Sequence, residues 1–169
     1  MIGHEIGHGF DDQGSKYDGE GNLVDWWTDE DRANFDARAQ ALIAQYSGFS
    51  PRELPDRHLV NGAFTVGENI GDLGGLTIAY VAYLISLQGT QAPVIEGLSG
   101  AQRFFEGWAQ CWKAKTRAAE VIRRLSVDPH STPEFRANFV CNLEEFYAAY
   151  DVVEGDRMWL APEDRVRIW

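Results

Sequence analysis

Positive charge is scarce in this chain: 15 lysines and arginines stand against 26 aspartates and glutamates, a formal net charge of −11 over 169 residues. That balance argues against a nucleic-acid partner, because binding phosphate needs the opposite sign. Beyond that it mostly aids solubility. Cysteine is scarcer still. Cys111 and Cys141 are too few for a disulfide framework, and a single bridge or two free thiols are equally open. Long apolar runs are missing too. The longest, 73–87, is interrupted by threonine and serine and falls short of the ~20 residues that span a bilayer. The first residues do not read as a secretory signal, and there is no repeat, low-complexity tract or strand-rich segment. What is present is 44% apolar residues, in a length that suits one domain, 1–169, with a sizeable core.

Histidine is rare, yet two of the four stand in His4-Glu5-Ile6-Gly7-His8. A helix carries residues i and i+4 on one face, so the two imidazoles lie side by side and Glu5 is displaced by about 100°. Two neutral imidazoles can hold a zinc ion while the intervening carboxylate stays free to act on a metal-activated water. The helix bearing this motif begins within a residue or two of Met1, with no capping residue and no preceding turn. A helix that holds a metal should be embedded, so the chain is expected to be the C-terminal part of something longer.

Helical signals dominate the remainder. The loop 16–27 holds the turn dipeptides Asp18-Gly19 and Gly21-Asn22 and ends in Trp26-Trp27. Thr28 followed by three acids starts a helix to about Tyr46, which should bury Phe35, Ala39, Leu42 and Tyr46. The stretch 48–66 carries Pro51, Pro55 and Gly62 and reads as a loop. The stretch 67–87 is a second major helix, apolar on most sides beyond Asp72. Its Gly71, Gly74 and Gly75 weaken it by about 1 kcal/mol each, which is easiest to explain if another backbone packs against them. Ser99 and Gln102 match a capping box ahead of a helix rich in aromatics. Further helices are expected from Thr116 to Leu125, from Thr132-Pro133 to Phe139, and from an Asn142 cap to Tyr150. Trp108, Trp112 and Phe146 read as core.

Zinc in a hydrolase takes three protein ligands and leaves a fourth position for water. His58, His130 and any carboxylate on a rigid element are candidates for the third. Glu68 is the strongest, because it opens an otherwise apolar buried helix, where an unpaired carboxylate is costly. Asp72 lies one turn later on the same face, so one acid can bind metal while the other orients an imidazole.

The run His-Glu-Ile-Gly-His-Gly-Phe-Asp-Asp-Gln-Gly, followed by Gly-Glu-Asn-Ile-Gly-Asp-Leu-Gly-Gly, resembles the neprilysin and endothelin-converting-enzyme family of zinc metallopeptidases. The likeness continues through Asp25-Trp26-Trp27-Thr28, Asp128-Pro129-His130-Ser131 and Arg165-Val166-Arg167-Ile168-Trp169, in the family's order. The resemblance implies a mainly α, zincin-type (thermolysin-like) catalytic helical subdomain with little or no sheet. It implies one zinc ion held by His4, His8 and Glu68, with Glu5 as general base and peptides as substrates. Asp72 and Asp11 would orient the two histidines, His130 would stabilise the oxyanion, and Arg136 would bind a substrate carbonyl. His58 matches no functional position. Family members are several-fold longer, with an N-terminal helical region over the active site and an Asn-Ala-aromatic segment that pairs with substrate backbone. Neither is in this sequence, so the rival expectation is a zinc-binding fragment without activity. Gly71 stands where alanine is frequent in the family. The compartment expected for a full-length protein of this kind is extracytoplasmic, periplasmic or secreted.

Overall fold

Residues 1–55 and 57–169 are described by a computed structural model of the chain. Among the described residues seven α-helices follow one another: α1 (Ile2–Gly7), α2 (Asp29–Ser47), α3 (Gly62–Ser86), α4 (Gly100–Cys111), α5 (Ala118–Val127), α6 (Pro133–Asn138) and α7 (Glu144–Tyr150). Short 3₁₀ turns at His8–Phe10, Gly14–Lys16, Phe139–Asn142 and Pro162–Asp164 fill several of the connections. Among the described residues there is no sheet, only isolated bridges pairing Tyr17 with Leu23 and Ile95 with Leu98. No helix among them is long and apolar enough to cross a membrane. The architecture is mainly α, as the periodicity indicates.

The chain forms two compact units. The first comprises Met1–Leu76, Lys115–Thr132 and Val166–Trp169, and the second Thr77–Ala114 and Pro133–Arg165. In the first unit, α2 begins where expected, with the Thr28 hydroxyl accepting from the Asp31 amide at 3.1 Å. Phe35, Ala39, Leu42 and Tyr46 are all buried on one face of α2. Burying the three large side chains of that face contributes about 1.5–3 kcal/mol each.

The start of α3 departs from expectation. It opens at Gly62, five residues before the expected Gly67, because Asn61 Oδ1 accepts from the Phe64 amide at 3.1 Å and caps the helix. The Asn61-Gly62 pair therefore starts a helix within the stretch 48–66 that Pro51, Pro55 and Gly62 mark as loop. α5 likewise begins at Ala118 with no side-chain cap, two residues after the expected Thr116.

The glycines of α3 meet a backbone, as their cost suggested. A Cβ on Gly75 would lie 2.9 Å from His4 Cα and 3.0 Å from the Gly3 carbonyl carbon, and one on Gly3 would lie 2.9 Å from the Gly75 carbonyl oxygen. A Cβ on Gly7 would lie 3.5 Å from Gly71 Cα, repeating the approach one turn on. Glycines four apart on both helices thus let α1 lie directly against α3, and a six-residue helix is held by tertiary contact that it could not supply itself. Gly74 faces the Trp169 ring, which also stacks on Phe35 with centroids 5.7 Å apart. Gly75→Ala puts a methyl into a backbone that has no flexible end to yield. It should destabilise the protein by about 1–3 kcal/mol. Urea titration measures the loss, and unchanged stability would contradict the packing account.

In the second unit, Tyr80, Phe104, Phe105, Phe146 and Tyr150 pack ring to ring between α3, α4 and α7, with centroids 5.1–6.5 Å apart. The Ser99–Gln102 capping box forms in full. Two expected caps do not. Asn142 is buried and donates to the Phe139 carbonyl at 3.2 Å, so α7 starts from Leu143 without a side-chain cap. The Thr132 hydroxyl is buried with no hydrogen-bond partner among the described residues, so it does not cap α6. Both cysteines are free thiols, and burial pushes the Cys141 thiol up to about 11.

Candidate metal centre

α1 and the 3₁₀ turn that continues it bring His4 and His8 to one side, with ring centroids 4.7 Å apart and planes nearly perpendicular. Each ring commits Nδ1 to a carboxylate. His4 Nδ1 donates to Asp72 Oδ1 at 2.9 Å, and His8 Nδ1 donates to Asp11 Oδ2 at 2.7 Å. Asp72 is 2% exposed on α3, and Asp11 is 6% exposed just after the first 3₁₀ turn. The other Asp11 oxygen accepts from the Gln13 and Gly14 amides, both at 2.8 Å, so the turn after the motif itself holds that carboxylate in place. Gly67 leaves room for it, since a Cβ there would come within 3.2 Å of Asp11 Oδ2.

With Nδ1–H donated, a neutral imidazole turns its lone pair outward on Nε2. Both Nε2 atoms face Glu68: His4 Nε2 is 3.1 Å from Oε2, and His8 Nε2 is 3.7 Å from Oε1. Glu68 Oε2 is buried and, although within ion-pair distance of two imidazoles, has none of them in hydrogen-bond geometry. Two lone pairs and a carboxylate converging in a partly buried place repel unless a cation lies among them. One ligand atom from each of His4, His8 and Glu68 falls within 4.8 Å of the others. Two imidazoles and one carboxylate, each imidazole braced by an acid, is a donor set suited to zinc. The residues fit the ion.

Glu5 is exposed, and its carboxylate makes no hydrogen bond or ion pair among the described residues. His130 also reaches the cluster, its Nε2 lying 3.0 Å from Glu68 Oε2. Its ring is braced as the other two are, with Nδ1 at 2.8 Å from Asp128 Oδ1, an oxygen that also accepts from the His130 amide at 3.0 Å. Burial pushes the Asp128 carboxyl up, but those two bonds, with the charges of His130 and Arg124, outweigh it and hold it below the ordinary aspartate value. In the sequence Asp128 stands only as part of the Asp128-Pro129-His130-Ser131 run with no role of its own, and an acid two residues before a histidine in a loop is the signal for this brace. His58 stays outside the cluster and pairs with the Arg57 guanidinium at 3.5 Å.

Arg136 belongs to the second unit. It is 8% exposed and not the surface charge that a short helix suggests. Its guanidinium lies 4.1 Å from the Trp112 ring centroid, and its carbonyl accepts from Trp108 Nε1 at 2.9 Å. Trp108 and Trp112, read as core, thus form the seat of Arg136, where a cation over an indole face is favourable by about 0.5–2 kcal/mol.

A family model described as peptidase family M13 matches residues 1–166. A neutral endopeptidase of Lactococcus lactis subsp. lactis is 39% identical over 170 residues, covering all of this chain and 25% of that protein. Human neprilysin is 38% identical over 174 residues, again covering all of this chain and 23% of the relative. The crystal structure of Mycobacterium tuberculosis zinc metalloprotease ZMP1 in complex with inhibitor superposes with a TM-score of 0.97 at 65% identity, over 99% of this chain and 26% of that one. The chain therefore spans about a quarter of the length of the curated relatives it matches. With the motifs, the fold and the histidine–carboxylate cluster all in agreement with that match, this chain belongs to peptidase family M13.

Proposed function

We propose that this chain is the zinc-binding catalytic portion of a longer metalloendopeptidase that hydrolyses peptide bonds in oligopeptides. The observation that carries the reading is the convergence of His4 Nε2, His8 Nε2 and Glu68 within 4.8 Å, each histidine braced by a buried acid. His4, His8 and Glu68 would hold one zinc ion, with Asp72 and Asp11 fixing the imidazole tautomers. Bound there, zinc supplies Lewis acidity that brings the pKa of a water toward about 7.

The remaining steps belong to side chains. Glu5 sits next to His4 in sequence with a carboxylate that makes no hydrogen bond or ion pair among the described residues, so it is available to take a proton from water and return it to the leaving amine. His130, its ring held through Nδ1 by Asp128, turns Nε2 toward the centre, where an Nε2–H would donate to the oxyanion of the tetrahedral intermediate. Arg136 is a donor for a substrate carbonyl, a role supported by family resemblance and by its rigid seat on Trp112.

The competing reading, a zinc-binding unit without turnover, is favoured by one observation: the chain covers a quarter of its relatives' length. A quenched fluorescent peptide separates the two. Chelator-sensitive hydrolysis, restored by adding zinc back, is the expected result. Stoichiometric zinc with no cleavage would leave the peptidase reading to the longer protein alone.

A further inference from the structure

A buried polar thread runs beside the centre. The Ser131 hydroxyl donates to Asn69 Oδ1 at 2.8 Å, and Asn69 Nδ2 donates to Thr65 Oγ1 at 3.0 Å. The Thr65 hydroxyl in turn donates to a backbone carbonyl, that of Asn61 at 3.3 Å or Gly62 at 3.5 Å. Ser131, Asn69 and Thr65 are 4%, 2% and 5% exposed, so water does not substitute for a missing partner. The thread has one direction. With the Thr65 proton committed to the main chain, Thr65 oxygen accepts, Asn69 turns its amide nitrogen to it, and the Asn69 carbonyl is left for Ser131.

The thread joins the two pieces of chain that bear Glu68 and His130. Asn69 follows Glu68 on α3, and Ser131 follows His130 in the loop before α6. Asp128 orients the His130 ring relative to its own loop, but it does not set where that loop stands against α3. We infer that Asn69 and Ser131 are positioning residues, whose hydrogen bond holds His130 Nε2 at its 3.0 Å approach to Glu68. Were burial alone at stake, an apolar pair of the same shape would serve almost as well. A directional bond one residue from each functional side chain does more, because stabilising an oxyanion depends on placement within a few tenths of an ångström.

This inference rests on the proposed role of His130, and the test separates the two. In the zinc-loaded full-length protein, Ser131→Ala, His130→Ala and the double variant are compared for kcat and KM on a quenched peptide. Affinity for a phosphoramidate peptide, whose tetrahedral phosphorus imitates the oxyanion, is measured by calorimetry alongside zinc content. Ser131→Ala should lower kcat about tenfold with KM and zinc content unchanged, and weaken the phosphoramidate by a similar factor. Once His130 is alanine, removing the Ser131 hydroxyl should cost nothing further. Additive losses in the double variant, or an unchanged kcat in Ser131→Ala, overturn the inference and leave the role of His130 standing. An unchanged kcat in His130→Ala overturns that role, and the inference with it. Should Ser131→Ala lose zinc or fail to fold, Ser131→Cys keeps the volume, weakens the donor and carries the same comparison.

Discussion

Glu68→Ala is expected to leave the protein without stoichiometric zinc. Glu68 is the anionic member of the donor set, and it reaches both imidazoles from the opposing helix, at 3.1 and 3.7 Å. Without it, His4 and His8 remain braced by Asp72 and Asp11. Two imidazole nitrogens, one on a six-residue helix and one on the 3₁₀ turn after it, then remain of that ligand set to hold a divalent cation. Loss of an outer hydrogen bond to a metal ligand already costs about 10–100-fold in affinity, so loss of a ligand should cost more than about 100-fold. Elemental analysis after dialysis reads the result. A full complement of zinc in Glu68→Ala would show that the ligand set is wrong and return His130, 3.0 Å from Glu68, to consideration.

Glu5→Gln should have the opposite profile: zinc retained and hydrolysis lost. The side chain is exposed and makes no hydrogen bond or ion pair among the described residues, so the isosteric amide disturbs neither fold nor ligands. What the amide cannot do is accept a proton from water. General-base catalysis is worth about 10²–10⁴-fold, and kcat should fall by about that factor with KM little changed. Residual turnover near the parent rate would remove Glu5 as the base. The two variants together are diagnostic, since a merely destabilised protein would lose zinc and activity in both.

The histidine–carboxylate motif and its companions were legible because each is local. His4 and His8 share a face by helix geometry alone, and Thr28, Ser99 and Gln102 announce their caps within three residues. The buried face of α2 follows from spacing in the same way. The glycines of α3 told of a close neighbour without saying which. The misreadings share a cause. Asn61 caps a helix that Gly62 seemed to forbid, and Asn142 spends its side chain on the Phe139 carbonyl where a helix cap was expected. In both cases the side chain can bond in several local ways, and the packing around it selects one.

Residue types and their intervals were enough to establish a helical chain with two imidazoles poised for a metal and an acid beside them, because helix periodicity is a short-range rule. They could nominate Glu68 but could not bring it to those rings. That it stands there follows from Gly3, Gly7, Gly71 and Gly75 letting α1 lie against α3, an approach of parts nearly seventy residues apart. The Asn69–Ser131 bond, between residues 62 apart in the chain, is of the same kind. Hydrogen bonds of that sort depend on where the chain returns, and periodicity carries no information about the return.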